Sequence, residues 1–282
     1  MRSLGIDIGG TSVKVALLDG DRITTGRSTE YSRPSSETLE RVLADALTAG
    51  VGQVDTVGLC VPGRLDQTRS RVVQSLNLPA IENLPLAELI SKAIGRPLQP
   101  LITSDAHAAA HDFWRSHGTV GRLLGISMGT GVGASVLDNG RPLLVSGESP
   151  GHFGQVDVTL EGELGPRTLE SYVGVKQLRS DFGAHFAEAI ADFDSRTKPL
   201  RALARAIRIA HAIYRPDTVA LLGYVGMLFA SRREVLEALV RDGLTSVAKP
   251  DWKLTFGSSP FHAAIGAARL AQLSPGTRVT ED

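Results

Sequence analysis

The sequence contains very little cysteine: Cys60 is the one thiol among 282 residues. An internal disulfide is therefore excluded, and so is a zinc site built from several thiolates. Cys60 lies within the apolar run Val57–Val61, where the simplest prediction is a small buried side chain. We expect no structural zinc in this protein.

Net charge and long apolar runs are also missing. Thirty basic and thirty acidic residues cancel, so neither nucleic acid nor an anionic membrane is predicted as a partner. No apolar run approaches the roughly 20 residues that a membrane helix needs, and no charged-then-apolar leader precedes the first predicted strand. These absences predict a cytoplasmic protein. The length and the hydrophobic fraction of 42% suit two domains with substantial cores.

The most informative motif is at the start of the chain, where two short apolar strands flank a turn. The turn residues are Gly9, Gly10, Thr11 and Ser12. Two glycines let backbone N–H groups approach an anion without a Cβ in the way, and the two hydroxyl groups add donors. Asp7 ends the first strand, and a carboxylate beside a phosphate-shaped turn suits a hydrated Mg²⁺. Taken alone, the same residues are equally compatible with an ordinary hairpin.

A second turn of the same type supports the prediction of a phosphate site. Residues 124–140 repeat the order of strand, glycine-and-threonine turn, and strand. The residues in question are Gly129, Thr130, Gly131 and Gly133. Two such hairpins predict a duplicated domain that binds one ligand from both sides, an arrangement that resembles the actin-like ATPase and sugar kinase superfamily.

Asp105 is the candidate for acid–base chemistry. Strand and helix patterns alternate before it, which predicts an α/β domain with helices on the sheet faces. In such sheets functional residues gather where strands end and helices begin. Asp105 follows a predicted strand over 97–103 and precedes a predicted helix beginning at Ala106. Without further context, an N-cap of that helix is the simpler interpretation.

Several motifs follow one another in the order and spacing of the ROK family, whose name stands for repressors, open reading frames and kinases. They are Asp7–Thr11, Pro62-Gly63 with Asp66, Asn77–Pro79, Pro85–Leu89, Asp105–Ala110 and Gly129–Gly133. The chain therefore resembles the ROK family, which includes bacterial glucokinases, fructokinases and N-acetylhexosamine kinases, along nearly its whole length.

The resemblance implies a fold and a domain division. The fold is the actin-like ATPase (ribonuclease H-like) α/β fold, with two similar α/β domains and a cleft between them. The expected N-terminal domain is 1–105, joined by a C-terminal helix at about 260–274, and the expected second domain is 106–259. A homodimer is the family's common state.

The resemblance also implies phosphoryl transfer from ATP to a hydroxyl of a hexose or hexose derivative, as in glucokinases. Asp105 would accept the hydroxyl proton as general base, Asp7 would hold Mg²⁺ through water, and the two turns would bind the phosphates of ATP. The segment containing Gly223 and Gly226 resembles the family's glycine-rich adenosine platform. Lys14 is compatible with a phosphate contact and equally with a solvated surface charge.

The positions that read the sugar depart most from the family pattern. The family's Glu-x-Gly-His segment is represented by His152 and Gln155, and the Asn before the catalytic Asp is replaced by Ser104. A shorter stretch without cysteine, 156–168, stands where the family has a zinc loop. The predicted contacts to the small-molecule sugar are Asn77, Ser104, His152, Gln155 and Glu170. The resemblance leaves the identity of the sugar open.

Other classes of function fit parts of the sequence. Gly125–Gly129 matches the serine hydrolase pattern G-x-S-x-G, but a strand is predicted after it where the hydrolase motif needs a helix. His107, His111 and His152 suggest a metal cluster, without the Glu of the zincin motif. A ROK repressor needs a helix-turn-helix that the sequence ahead of the first strand does not contain. The strongest alternative is a catalytically degenerate ROK-fold protein that binds sugar or nucleotide without turnover.

Overall fold

The structure is a computed structural model that describes residues 1–48, 53–145 and 152–274. The strands in this part of the chain are β1 (Arg2–Ile8), β2 (Val13–Asp19), β3 (Arg22–Arg27), β4 (Thr56–Val61), β5 (Arg64–Leu65), β6 (Val72–Gln74), β7 (Leu101–Ser104), β8 (Arg122–Met128), β9 (Val132–Asp138), β10 (Arg141–Pro142), β11 (Thr218–Leu222) and β12 (Lys253–Phe256). The α-helices are α1 (Ser36–Thr48), α2 (Leu86–Ile94), α3 (Asp105–His117), α4 (Glu170–Val173), α5 (Val175–Phe182), α6 (Phe186–Ile190), α7 (Lys198–Tyr214), α8 (Gly223–Leu228), α9 (Arg233–Asp242) and α10 (His262–Leu273).

Two five-stranded sheets share one topology. The strand order is β3-β2-β1-β4-β7 in the first sheet and β10-β9-β8-β11-β12 in the second. In both, three antiparallel strands are followed by two parallel ones. The duplication predicted from the two glycine-rich turns is therefore present in the strand order itself.

The chain forms two compact units. The first comprises Met1–Asp112 with Phe261–Asp282, and the second comprises Phe113–Pro260. Helix α3 contains the first boundary, which the sequence placed seven residues earlier, after residue 105. The boundary therefore falls inside a helix and not in a loop.

Helix α10 packs on the first sheet at very short range, although it is last in the chain. A Cβ on Gly5 would lie 1.8 Å from the carbonyl oxygen of Ala264, and one on Gly58 would lie 2.0 Å from that of Ala267. Only glycine fits at these two positions, because any side chain would overlap the helix backbone. Small residues on both elements thus let α10 approach β1 and β4.

A buried ionic cluster ties α10 to α3. Nδ1 of His262 lies 2.6 Å from Oδ2 of Asp112, and Nη1 of Arg269 lies 2.5 Å from Oδ1. Asp112 and His262 are both buried. Removing one partner from a buried pair typically costs about 3–5 kcal/mol, because the other charge is left uncompensated. The cluster therefore fixes the helix that begins with Asp105.

The second unit has a separate core around β8 and β11. Its largest fully buried side chains include Phe229 and Trp252. Helix α7 contributes a continuous apolar face to it, with most of its buried residues at helical spacing. None of the helices in the described part of the chain has the length and apolar character that crossing a lipid bilayer requires.

Two predicted elements differ in the structure. The apolar pattern predicts one helix over 169–182, but Gly174 is extended (φ −68°, ψ 146°) and divides it into α4 and α5. The N–H of Val175 donates to the carbonyl of Gly129 (3.1 Å). The break between α4 and α5 therefore lies beside a contact with the second glycine-rich turn. The strand predicted over 141–145 is limited to the two residues of β10, although the N–H of Leu143 still donates to the carbonyl of Val136 (2.9 Å).

Candidate active site

Tyr31 holds the first glycine-rich turn through two hydrogen bonds to its backbone carbonyls. The N–H of Gly9 donates to the carbonyl of Ser12 (3.0 Å) and closes the turn. The hydroxyl of Tyr31 donates to the carbonyl of Gly9 (2.5 Å), and its N–H donates to the carbonyl of Thr11 (2.9 Å). Gly9, Gly10 and Thr11 remain partly exposed. The turn is thus preformed, with its backbone available on one side.

Ser12 differs from the prediction. Its side chain is buried, and its Oγ accepts a hydrogen bond from Nε of Arg27 (3.1 Å). The hydroxyl of Ser12, predicted as a donor to phosphate, therefore lies inside the fold, where it supports the turn. Thr11 is the hydroxyl residue of this turn that keeps solvent contact.

Asp7 is a buried carboxylate with two partners. Nζ of Lys14 lies 3.1 Å from Oδ2, and Sγ of Cys60 donates to Oδ1 at 3.7 Å. The side chain of Lys14 is 23% exposed, so its interpretation as a solvated surface charge is wrong. Attraction by Asp7 raises the pKa of Lys14 above its ordinary value. Burial and the nearby charge of Asp7 raise the pKa of the Cys60 thiol, which is therefore a neutral donor.

Asp105 is the first residue of α3, but it does not cap the helix. Oγ of Ser104 accepts the N–H of His107 (3.3 Å), which makes Ser104 the N-cap. Oδ1 of Asp105 accepts the N–H of Ala106 (2.8 Å). The interpretation of Asp105 as the N-cap is therefore wrong, and the capping serine is the residue predicted to contact sugar.

The environment of Asp105 makes it a stronger base than an ordinary aspartate. Burial, and then the negative charge of Asp7, raise the pKa of Asp105 to about 6. The N–H of Ala106 and the ammonium of Lys14 act in the opposite direction. A carboxyl group with this pKa is ionised at pH 7–8 and still basic enough to take part in proton transfer.

Asn77 lies in a loop next to the end of β4. The N–H of Ser75 donates to Oε1 of Glu82 (2.7 Å), which holds this loop. A Cβ on Gly63, just after β4, would lie 2.3 Å from the carbonyl of Gln74. Since β4 and β7 are parallel neighbours, this loop and Asp105 follow the same edge of the first sheet.

In the second unit, the turn between β8 and β9 is held by Glu170. The N–H of Gly129 donates to the carbonyl of Gly131 (2.9 Å), and the N–H of Val132 donates to Oε2 of Glu170 (2.8 Å). Gly129, Thr130 and Gly131 are partly exposed. Glu170, predicted as a sugar contact, thus has one carboxylate oxygen engaged in supporting this turn.

Gly133 and the segment with His152 and Gln155 lie beside the same turn. Gly133 is inside β9, paired with Ser127. A Cβ on Gly154 would lie 2.3 Å from the carbonyl of Val132, so the short turn at 153–155 packs directly on β9. His152 and Gln155 themselves are exposed. Contacts between the elements thus bring this segment and Glu170 to one end of β9.

The predicted adenosine platform divides into an accessible and a buried part. Gly223 has a positive φ of 75°, and a Cβ there would lie 2.5 Å from the carbonyl of Met128, the residue before the second turn. Gly226 is buried, and a Cβ would lie 2.8 Å from the carbonyl carbon of Leu221. Gly223 therefore adjoins the turn, whereas Gly226 allows α8 to pack on β11.

The predicted site residues divide between the two units. The first unit contains Asp7, Gly9, Gly10, Thr11, Ser12, Asn77, Ser104 and Asp105, and the second contains Gly129, Thr130, Gly131, Gly133, His152, Gln155, Glu170, Gly223 and Gly226. Within each unit, contacts bring a glycine-rich turn together with its supporting residues. Sequence reasoning missed Tyr31 and the Lys14–Asp7 ion pair.

Two alternative functions lack their geometry. Ser127 lies within β8, and the following element is the strand β9, so there is no strand-to-helix elbow for a hydrolase nucleophile. Among residues 1–48, 53–145 and 152–274, no group of three or more His, Cys, Asp or Glu side chains could hold a metal ion. The alternative of a metal cluster at His107, His111 and His152 therefore has no support in that part of the chain.

Known proteins share this architecture. The sequence profile of the ROK family matches residues 3–168. An N-acetylmannosamine kinase from Salmonella typhi is 28% identical over 295 aligned positions, covering 95% of this chain and 94% of that protein. A ROK family glucokinase from Streptomyces griseus, solved with glucose and AMPPNP, has a TM-score of 0.75 at 20% identity and covers 97% of this chain and 100% of its own.

The fold alone does not decide the activity. A ROK family transcriptional regulator, a homologue of the E. coli MLC protein, has a TM-score of 0.72 at 18% identity and covers 96% of this chain and 78% of its own. The fold is the actin-like ATPase fold of these proteins. Since the family profile matches more than half of its 282 residues, the chain belongs to the ROK family.

Proposed function

We propose that this protein is an ATP-dependent sugar kinase that transfers the γ-phosphoryl group of ATP to a hydroxyl of a hexose or hexose derivative. The observation that carries the proposal is Asp105. It begins a helix that Ser104 already caps, and its pKa is raised to about 6. A carboxylate that is free of the capping role and tuned towards neutral pH is suited to general base catalysis.

In the proposed reaction, Asp105 accepts the proton of the sugar hydroxyl, and the oxygen of that hydroxyl attacks the γ-phosphorus of ATP. The bond between the γ-phosphorus and the bridging oxygen breaks, and ADP leaves with the electron pair. The backbone of the two glycine-rich turns, with Thr11 and Thr130, would bind the phosphates. Tyr31 and Glu170 would keep these turns in shape before ATP binds.

Asp7 is the residue proposed to hold Mg²⁺. Its carboxylate suits a hard cation, but it is buried and paired with Lys14. These contacts favour an interaction through metal-bound water over direct coordination. When bound, Mg²⁺ would neutralise charge on the phosphates.

The proposed substrates include N-acetylhexosamines as well as glucose. A relative that covers 95% of the chain is an N-acetylmannosamine kinase, whereas the glucokinase similarity is at 20% identity. Three predicted sugar contacts also depart from the family pattern. A pocket built for different polar groups discriminates strongly between sugars.

A second candidate function is sugar or nucleotide binding without turnover. The observation that favours it concerns the three predicted sugar contacts that depart from the family pattern. Oγ of Ser104 is engaged in capping, and His152 and Gln155 are exposed.

The experiment that separates the two is a coupled ADP-release assay with Mg·ATP against glucose, mannose, fructose, N-acetylglucosamine and N-acetylmannosamine. A kinase phosphorylates at least one of them, and Asp105→Asn abolishes most of that rate. A sugar that raises the melting temperature of the protein without being phosphorylated would favour the binding protein. Product analysis by mass spectrometry distinguishes sugar phosphate from ATP hydrolysis.

A further inference from the structure

Tyr224 is the one aromatic residue among the large hydrophobic side chains that are exposed in the described part of the chain. It is 51% exposed, and it is the second residue of α8. Single apolar side chains on a protein surface are ordinary and need no explanation. The position of this ring therefore decides whether it has a role.

Tyr224 lies at the same edge of the second sheet as the second glycine-rich turn. The last residue of β11 pairs in parallel with Ser127 of β8, and Tyr224 and Gly129 each follow that pair by two residues. A Cβ on Gly223 would lie 2.5 Å from the carbonyl oxygen of Met128. The backbone just before Tyr224 is therefore in contact with the residue just before the turn.

Phe186 supports one side of the ring. The two ring centroids are 6.4 Å apart and the ring planes are at 90°, which is the edge-to-face arrangement that aromatic pairs favour. Phe186 is 3% exposed and belongs to the core of the second unit, so it is a fixed support. Whichever ring presents its edge, one face of the Tyr224 ring is not covered by Phe186.

We propose that Tyr224 stacks on the nucleobase of the phosphoryl donor, so that the second unit binds a nucleotide and not only a phosphate chain. Stacking of a base on an aromatic side chain strengthens binding by about 5- to 100-fold. The inference rests on the proposed function, because the second glycine-rich turn would bind the phosphates of the same donor.

Calorimetry with two probes tests the stacking contact. ADP contains the base and two phosphates, whereas inorganic pyrophosphate contains the two phosphates alone, and both are titrated with Mg²⁺ and without sugar. Tyr224→Ala should weaken ADP binding by about 5- to 100-fold and leave pyrophosphate binding unchanged. Tyr224→Phe keeps the ring and should bind ADP like the parent. Leu164→Ala shortens another exposed side chain of the second unit and should change neither affinity.

The ring signals of Tyr224 give a direct second measurement. The chain has four tyrosines, and the ¹H signals of this one are assigned with Tyr224→Phe. ADP should move them upfield, because a stacked base shields the ring protons, whereas pyrophosphate should not. Unmoved signals at saturating ADP overturn the proposal.

Three results of the titrations also overturn it. An unchanged ADP affinity in Tyr224→Ala means that the ring does not touch the base, and a higher affinity means that the ring obstructs the nucleotide. Equal losses of affinity for ADP and pyrophosphate mean that the ring supports the turn and not the base.

Gly129→Ala separates failure of this inference from failure of the proposed function. That variant alters the turn and should weaken both probes. If it weakens ADP binding while Tyr224→Ala does not, the proposed function stands and the stacking role is wrong. If the parent protein binds neither probe, the proposed function fails together with the inference.

Discussion

Replacing Asp105 with asparagine separates catalysis from structure at the start of α3. Asparagine keeps the shape of the side chain, and its Oδ1 can accept the N–H of Ala106 as the carboxylate does. The N-cap is unaffected because Ser104 provides it. What is lost is the ability to take a proton. We expect kcat to fall by about 10²- to 10⁴-fold, the usual contribution of a general base.

The same substitution should not destabilise the protein. The folded state raises the pKa of Asp105 from 3.8 to about 6, so it disfavours the ionised form. This cost is absent at low pH, develops as the pH rises from about 4 to about 6, and is complete at pH 7.5. Two pKa units correspond to about 3 kcal/mol, and partial exposure reduces this to about 1–2 kcal/mol. Asp105→Asn should therefore be as stable as the parent or more stable.

Ser104→Ala is the matched control for stability. It removes the hydroxyl that caps α3 and should lower the free energy of unfolding by about 1 kcal/mol. Urea denaturation at pH 7.5 measures both variants, and steady-state kinetics on the preferred sugar measures kcat. The reasoning is refuted if Asp105→Asn loses stability like Ser104→Ala and keeps its rate, since Asp105 would then be a structural residue.

Further measurements examine the second turn, the metal content and the response to acid. A Cβ on Gly129 would meet no protein atom within 4 Å, so Gly129→Ala should keep the melting temperature yet weaken Mg·ATP binding by about tenfold, or about 1.4 kcal/mol. Gly165→Ala is the control in the calorimetric titration, because a Cβ there also meets no protein atom within 4 Å. If both variants bind Mg·ATP with the same affinity, the phosphate assignment of the second turn is wrong. The chelator-washed protein should contain no stoichiometric zinc by elemental analysis, because its single cysteine cannot build the family's thiolate site. His211 is 1% exposed, without a hydrogen-bond partner for either ring nitrogen in the described part of the chain, and burial lowers its pKa to about 4. The free energy of unfolding should therefore fall as the pH drops from about 6.5 to about 4, by up to about 3 kcal/mol, and denaturation of His211→Leu should show a shallower dependence, whereas identical slopes would contradict this assignment.

Much of the fold was readable from local patterns. Two strands flanking a glycine-rich turn occur twice, and the alternation of apolar strands with amphipathic helices predicts each sheet. The register of the first hairpin was not predicted. A turn at residues 9–12 pairs Ile8 with Val13 and therefore Asp7 with Lys14. The pattern did not show that Lys14 is only partly exposed, because exposure depends on elements distant in sequence.

The roles of neighbouring polar residues were harder to predict. Ser104 and Asp105 are both good N-cap residues, and only the helix geometry decides that Ser104 accepts the N–H of His107. Glu170 is similar: its partner is a backbone N–H of Val132, 38 residues earlier in the chain. No periodicity marks such a contact. Sequence motifs therefore predicted candidate site residues but did not assign which of them support the others.

The stretch that replaces the family's zinc loop bears on whether the protein is an active kinase. Nζ of Lys198 lies 2.8 Å from Oε1 of Glu163, Arg167 donates to the hydroxyl and the carbonyl of Ser171, and its guanidinium lies over the ring of Tyr172 at 4.7 Å. These contacts hold the short helix α4, whose first residue supports the second glycine-rich turn. Each polar contact is partly exposed and individually weak, but together they hold α4 through side chains of this chain. The shortened stretch without cysteine therefore leaves the support of the second glycine-rich turn in place, and by itself it does not favour a protein that has lost turnover.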